Sequence, residues 1–204
     1  MKLPNSCAGR FILSGFLTLL LGACSTPAEH YYTLLGNPPA QSNNDVPLSQ
    51  GPNVVLASVT LPEAVDRREL VMRTGATSVM VMETQFWAES LKTAIPRAIA
   101  DDLSQLLGGA TVSVQSDNAS HDAKYFVFID LTRFDSILNE ASSIDAIWSV
   151  RLATGEQLKS GRSTVRIPVH GLGIDEIVAA HTQALAHLSD DIATQIKVIE
   201  AIKK

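Results

Sequence analysis

Lys124-Tyr-Phe-Val-Phe-Ile-Asp-Leu-Thr-Arg-Phe134 is the most apolar strand-forming run in the body of the chain. A run this rich in aromatic and β-branched residues belongs at the centre of a sheet, where both faces are covered. Downstream of it, Ile144, Ala146, Trp148, Val150 and Leu152 alternate with Asp145, Ile147, Ser149 and Arg151. Thr154-Gly155-Glu156 then turns the chain, and Val165, Ile167 and Val169 alternate with Arg162, Thr164 and Arg166. A period of two on either side of a glycine turn predicts a hairpin with one wet face. After residues 170–173 the period changes. Ile174, Ile177, Val178, His181, Leu185, Leu188, Ile192, Ile196 and Ile199 recur at helical spacing, which predicts a long amphipathic helix to the end of the chain.

Upstream the pattern repeats. Residues 29–35 and 53–61 read as strands, separated by a proline-punctuated, polar loop at about 36–52. Residues 68–74 and 78–83 make two short strands around Gly75-Ala76-Thr77, and residues 110–115 another. Between them Trp87, Leu91, Ile95, Ile99, Leu103 and Leu106 keep a helical period, with Gly108-Gly109 as the stop. Pro96 lies inside this helix, where a proline costs about 3 kcal/mol or bends the axis. The order β-β-β-β-α-β-β-β-β-α predicts an α+β fold: a largely antiparallel β-sheet with two long helices packed on one face, a two-layer sandwich.

The first residues are an address. Lys2 and Arg10 precede an apolar run at 11–23, which is signal-peptide anatomy and too short for the roughly 20 residues that span a bilayer. Leu21-Gly22-Ala23-Cys24 resembles the lipobox of bacterial lipoproteins. That resemblance implies removal of residues 1–23 and lipidation of Cys24, and Ser25 favours sorting to the outer membrane. The expected mature chain, residues 24–204, is a single periplasmic domain of 181 residues, long enough for a sizeable core. Losing Lys2 and Arg10 leaves 14 basic residues against 21 acidic ones, a net charge of −7, which argues against nucleic acid, whose phosphates demand a basic face. Cys7 leaves with the leader and Cys24 is taken by lipid, so no thiol remains for a disulfide, a metal or a nucleophile.

Chemical motifs are missing from the remainder. There is no Gly-x-Ser-x-Gly elbow, Walker loop or His-Glu-x-x-His, and Gly171-Leu172-Gly173 lacks a third glycine and a βαβ context. His181 and His187 are six apart, on different helix faces, and cannot share a metal. No catalytic residue, cofactor or metal is expected. Arg67, Arg68 and Arg73 form a basic cluster suited to an acidic partner or a phospholipid head group. Met72, Met80, Met82 and Phe86 are suited to an adaptable apolar groove or to core filling.

Several short motifs, in order, identify a family resemblance. They are Tyr31-Tyr32-Thr-Leu soon after Cys24, Leu61-Pro62, Asp66-Arg67, Leu70-Val71-x-Arg73, Trp87-Ala-Glu-x-Leu91, the 125–131 strand, Ala146-x-Trp148 and the C-terminal helix. Together they resemble the ABC-type transport auxiliary lipoprotein family, which includes the paraquat-inducible C lipoproteins. Ala64 stands where an aromatic residue is usual, and Gln85-Phe86 where a basic residue often precedes the tryptophan. The resemblance implies a non-enzymatic outer-membrane lipoprotein of a lipid-trafficking system. Its partners would be an MCE-domain periplasmic protein and inner-membrane transporter components, with homo-oligomers in some relatives. Tyr31, Tyr32, Arg67, Arg73 and Trp87 are the expected partner-binding residues. A lipid carrier enclosing an apolar cavity is the alternative.

Overall fold

The computed structural model describes residues 27–36, 51–108, 110–115, 122–171 and 173–202. The leader, Cys24 and nearly all of the expected loop at 36–52 lie outside the described residues. Among the described residues the elements are β1 (His30–Tyr32), β2 (Val54–Thr60), β3 (Glu69–Arg73), β4 (Val79–Trp87), α1 (Leu91–Leu106), β5 (Val112–Val114), β6 (Tyr125–Ile137), β7 (Ala141–Leu152), β8 (Gln157–Pro168) and α2 (Ile174–Ile202), with one 3-10 turn at Glu63–Val65. The element order is the one that the periodicities predict.

β6 is the spine of the sheet. β7 pairs antiparallel along its whole length, from Tyr125↔Leu152 to Ile137↔Ala141, and β8 extends β7 outward. The other edge of β6 is divided between two strands. β2 runs parallel to its first half, from Val54↔Tyr125 to Thr60↔Asp130, and β3 meets it near the far end, at Met72↔Ser136. The sheet therefore forks there: β5 lies outside β2, while β4 and then β1 lie outside β3. The long ladders are antiparallel, as expected, but the joints at the fork are parallel, which an alternation pattern alone does not disclose.

Both helices pack together on one face, α1 against β2 and β5 and α2 against β7 and β8. The alternation of β6 sends Tyr125, Val127, Ile129, Leu131, Phe134 and Ser136 inward, with an irregularity between Leu131 and Arg133 that keeps the two halves in phase. Leu91, Ile95, Ile99 and Leu103 of α1 and Ile177, Leu185, Leu188, Ile192 and Ile196 of α2 fill the space opposite. Burying such a side chain contributes about 1.5–3 kcal/mol, so this layer of contacts outweighs the roughly 3 kcal/mol that Pro96 costs α1. The helix runs through Pro96 unbroken, and the pyrrolidine is buried.

Trp87 differs from the helical reading. It ends β4, its N–H donating to the Arg68 carbonyl (2.7 Å), and α1 begins four residues later behind Ser90, whose hydroxyl accepts from the Lys92 N–H. The spacing of Trp87 and Leu91 mimics a helical pair because both side chains enter the same core. At the other end of the chain, the last turn of α2 is tied down: Tyr125 Oη and Lys124 Nζ both hold Glu200.

Candidate docking face

The face of the sheet opposite the helices carries the polar and charged members of every alternation. At its β1 edge, Tyr31 pairs in register with Phe86, and their rings lie 5.6 Å apart. The Arg68 guanidinium sits 4.6 Å from the Phe86 ring centre and 5.3 Å from that of Tyr31, and it donates to Tyr31 Oη (2.6 Å). Tyr31 in turn donates to the Glu29 carboxylate, a bond that raises the phenol above its ordinary pKa. Phe86 is covered by this arrangement, 8% exposed, while Tyr31 remains 50% exposed. A flat, pre-ordered guanidinium–aromatic stack of this kind loses little side-chain freedom when a partner covers it.

Tyr32 is half-buried and donates to Gln85 Oε1 (2.6 Å); burial and the nearby Asp175 raise its pKa. Arg67 is exposed and has no ion-pair partner among the described residues. It lines a shallow cleft of about 310 Å³ with Asp66, Arg68, Glu89 and Ser90. Trp87 contributes to the wall of that cleft from beneath, but is only 5% exposed, its ring set edge-on to Phe134.

Arg73 is elsewhere. β3 carries it to the end opposite Arg68, so the three arginines do not form one cluster. Arg73 donates to Asp135 (2.8 Å), which raises its pKa, and to the carbonyls of Gly75 and Ala76. From there a lattice of charges crosses the face: Arg133 lies 3.7 Å from Asp135 and 3.4 Å from Asp145, and Arg166 pairs with Glu140. Exposed Ile147 and the stack of Arg151 on Phe128 (4.5 Å) interrupt it.

Sequence reasoning placed Arg68 in a basic cluster with Arg67 and Arg73 and treated Phe86 as groove or core; their juxtaposition with Tyr31 was not legible, because it spans the pairing of β1 with β4. The usable signal was strand geometry. Arg68 and Arg73, five residues apart on a strand, are separated by about 17 Å.

His181 and Ser136 make the one pairing that resembles catalytic apparatus among the described residues. Their Nε2 and Oγ are 2.8 Å apart, but His181 is 0% exposed and stacked on Phe134 at 3.9 Å, out of reach of any substrate. Burial lowers its pKa to about 3. The unfolded imidazole titrates near 6.5, so below that pH the unfolded chain binds a proton that the folded one refuses. Stability therefore falls as pH falls from about 6.5 toward 3, by about 1.4 kcal/mol per unit. A loss of about 2 kcal/mol is expected between pH 7 and pH 5 from this group alone. Urea midpoints at the two pH values should show this loss in the parent and a shallower acid slope in His181→Leu. Equal slopes would remove His181 from the account.

Among the described residues there is no group of three or more His, Cys, Asp or Glu side chains placed to hold a metal. No helix among them is long and apolar enough to cross a membrane. The space between helices and sheet is filled by side chains such as Leu56, Ile99, Leu131 and Leu185. The fold is a two-layer sandwich, with both helices on one face of a mixed sheet. The chain belongs to the family described as the ABC-type transport auxiliary lipoprotein component, whose family model matches residues 32–193.

Solved structures share the fold. An uncharacterized protein at 20% identity has a TM-score of 0.67, the match covering 83% of this chain and 99% of that one. A protein from Xanthomonas campestris at 16% identity has a TM-score of 0.63, covering 87% and 100%. No curated protein matches the sequence.

Proposed function

We propose that this protein is a non-enzymatic adaptor: lipid on Cys24 holds it to the periplasmic face of the outer membrane, and its helix-free sheet face docks an MCE-domain protein of an intermembrane lipid transport system. Membership of the transport auxiliary lipoprotein family supports the assignment to a transporter. The observation that carries the docking role is the exposed Tyr31–Arg68–Phe86 stack beside the unpaired Arg67, because ordered aromatic and arginine side chains are what partner hot spots are made of. The filled interior supports an adaptor over a carrier.

Affinity purification of the tagged lipoprotein from mildly solubilised envelopes tests this. The parent is expected to retain an MCE-domain protein together with inner-membrane transporter components. Arg68→Glu, at an exposed position, is expected to retain roughly tenfold less, equivalent to about 1.4 kcal/mol. A parent that retains no MCE-domain protein would sink the adaptor reading, and equal retention by the variant would move the docking surface off this face.

A further inference from the structure

The β3–β4 hairpin ends in an apolar tip that nothing in the fold uses. Val79, Met80 and Val81 are 49%, 46% and 38% exposed, on consecutive positions and thus on both faces of the strand. Residues 74–82 contain no charged side chain, between Arg73 and Glu83. The turn is held closed by the Thr74 N–H donating to the Ser78 carbonyl (3.0 Å) and by a bond between their hydroxyls. Arg73 is committed to Asp135 and to the turn carbonyls. Isolated apolar side chains on a surface need no explanation, but an uncharged, preformed apolar projection does.

The course of the chain indicates what covers it. β1 pairs parallel to β4 as His30↔Gln85, Tyr31↔Phe86 and Tyr32↔Trp87, so the chain entering β1 comes from the direction in which the start of β4 lies. Cys24 stands six residues before His30 in the sequence. Six extended residues span about 20 Å, which is also the length of β4 between Val79 and Gln85. A lipid on Cys24 is therefore tethered within reach of the apolar tip, so that the surface that receives the lipid can receive the tip as well.

We propose that Val79, Met80 and Val81 form a second contact with the bilayer, seated in the head-group layer beside the acylated Cys24 and fixing how the domain stands on the membrane. The proposal rests on the reading of Cys24 as the lipid-bearing residue. The depth follows from the backbone: the β4 edge between Val79 and Thr84 has unpaired N–H and C=O groups among the described residues, which water can satisfy among head groups and hydrocarbon cannot. An uncharged tip also suits a chain whose net negative charge is repelled by anionic lipid.

The test uses the lipidated protein in vesicles of phosphatidylethanolamine and phosphatidylglycerol. With Cys24 acylated, Met80→Cys introduces a unique thiol for a polarity-sensitive fluorophore. Glu156→Cys, in the exposed β7–β8 turn at the opposite end of the sheet, is the control. The label at position 80 is expected to shift to the blue and to be quenched by brominated lipids, and the control label to do neither. Protein that floats with the vesicles while both labels remain equally wet overturns the tip contact and leaves the anchor standing. Protein that does not float overturns both. A blue shift that arises in detergent and grows with protein concentration assigns the tip to a second copy of the chain and overturns the bilayer contact.

Discussion

Gly161→Ala is expected to destabilise the protein by about 3 kcal/mol, at the upper end of ordinary overpacking costs, and to lower its melting temperature by roughly 10 °C for a domain of this size. The direction is opposite to the usual one, since alanine in a strand ordinarily gains over glycine by about 0.5–1 kcal/mol. The reason is Trp148, which faces Gly161 across the β7–β8 ladder. A Cβ at position 161 would lie 2.3 Å from Trp148 Cζ2 and 2.8 Å from Cε2 and Cη2, closer than van der Waals contact allows. The indole cannot swing aside freely. Its Nε1–H donates to Ser163 Oγ (3.0 Å), which donates to Asp191 Oδ2 (2.5 Å) on α2, and the ring is 5% exposed. Chemical denaturation of Gly161→Ala, Trp148→Phe and the double variant checks the argument. The smaller ring should make the two changes cost clearly less together than the sum of each alone, as expected for residues in contact. A near-neutral Gly161→Ala would refute the close packing of this pair.

Removing Cys24, the proposed lipid acceptor, is expected to move essentially all of the protein from the membrane pellet to the soluble fraction. Each buried methylene contributes about 0.8 kcal/mol and a single acyl chain holds only marginally, so two or three chains make the anchor effectively permanent. The apolar tip of the β3–β4 hairpin offers only a few partly exposed side chains and cannot replace it. Cys24→Ala alone leaves an ambiguity, because an uncut leader would itself bind membranes. Exchanging residues 1–23 for a cleavable secretory leader, together with Cys24→Ala, removes it. Fractionation after a salt wash, with mass spectrometry of the mature N-terminus of the parent, reads the result. Retention of the processed variant in the pellet, or an unmodified parent Cys24, would contradict lipid anchoring.

The elements and their order were legible because each is written in its own period: two through residues 144–152, and 3.6 through the Ile177, His181, Leu185 and Leu188 series. The parallel joints at the fork were not, since the buried pattern of residues 54–56 is the same whichever way the neighbouring strand runs. Trp87 misled for a related reason, one core being shared by the end of β4 and the first turn of α1. Tyr31 and Tyr32 were legible as the first strand, which pairs with β4. The stack of Arg68 on Tyr31 and Phe86 was not legible, because those partners lie 37 and 18 positions away and only strand pairing brings them together. Gly161 carries no local signal, and His181 only its place in the apolar series: each matters through one ring, Trp148 or Phe134, that the fold places against it.

The shared edge of β6 also sets a timetable. Synthesis and secretion deliver the chain N-terminus first, and β2 pairs only with strands that come later, Val54 waiting for Val112 and Tyr125. Until residue 125 has emerged, the first half of the protein can close only the β3–β4 hairpin with its β1 flank and the β2–β5 pair with α1, without the spine that joins them. Non-local pairings of this kind form slowly and leave apolar strands open to misassociation meanwhile. The β6–β7–β8 meander, by contrast, needs only its own two turns. Arrival of the C-terminal half is therefore the event that ends the vulnerable interval, and a holdase would act on the nascent strands before it.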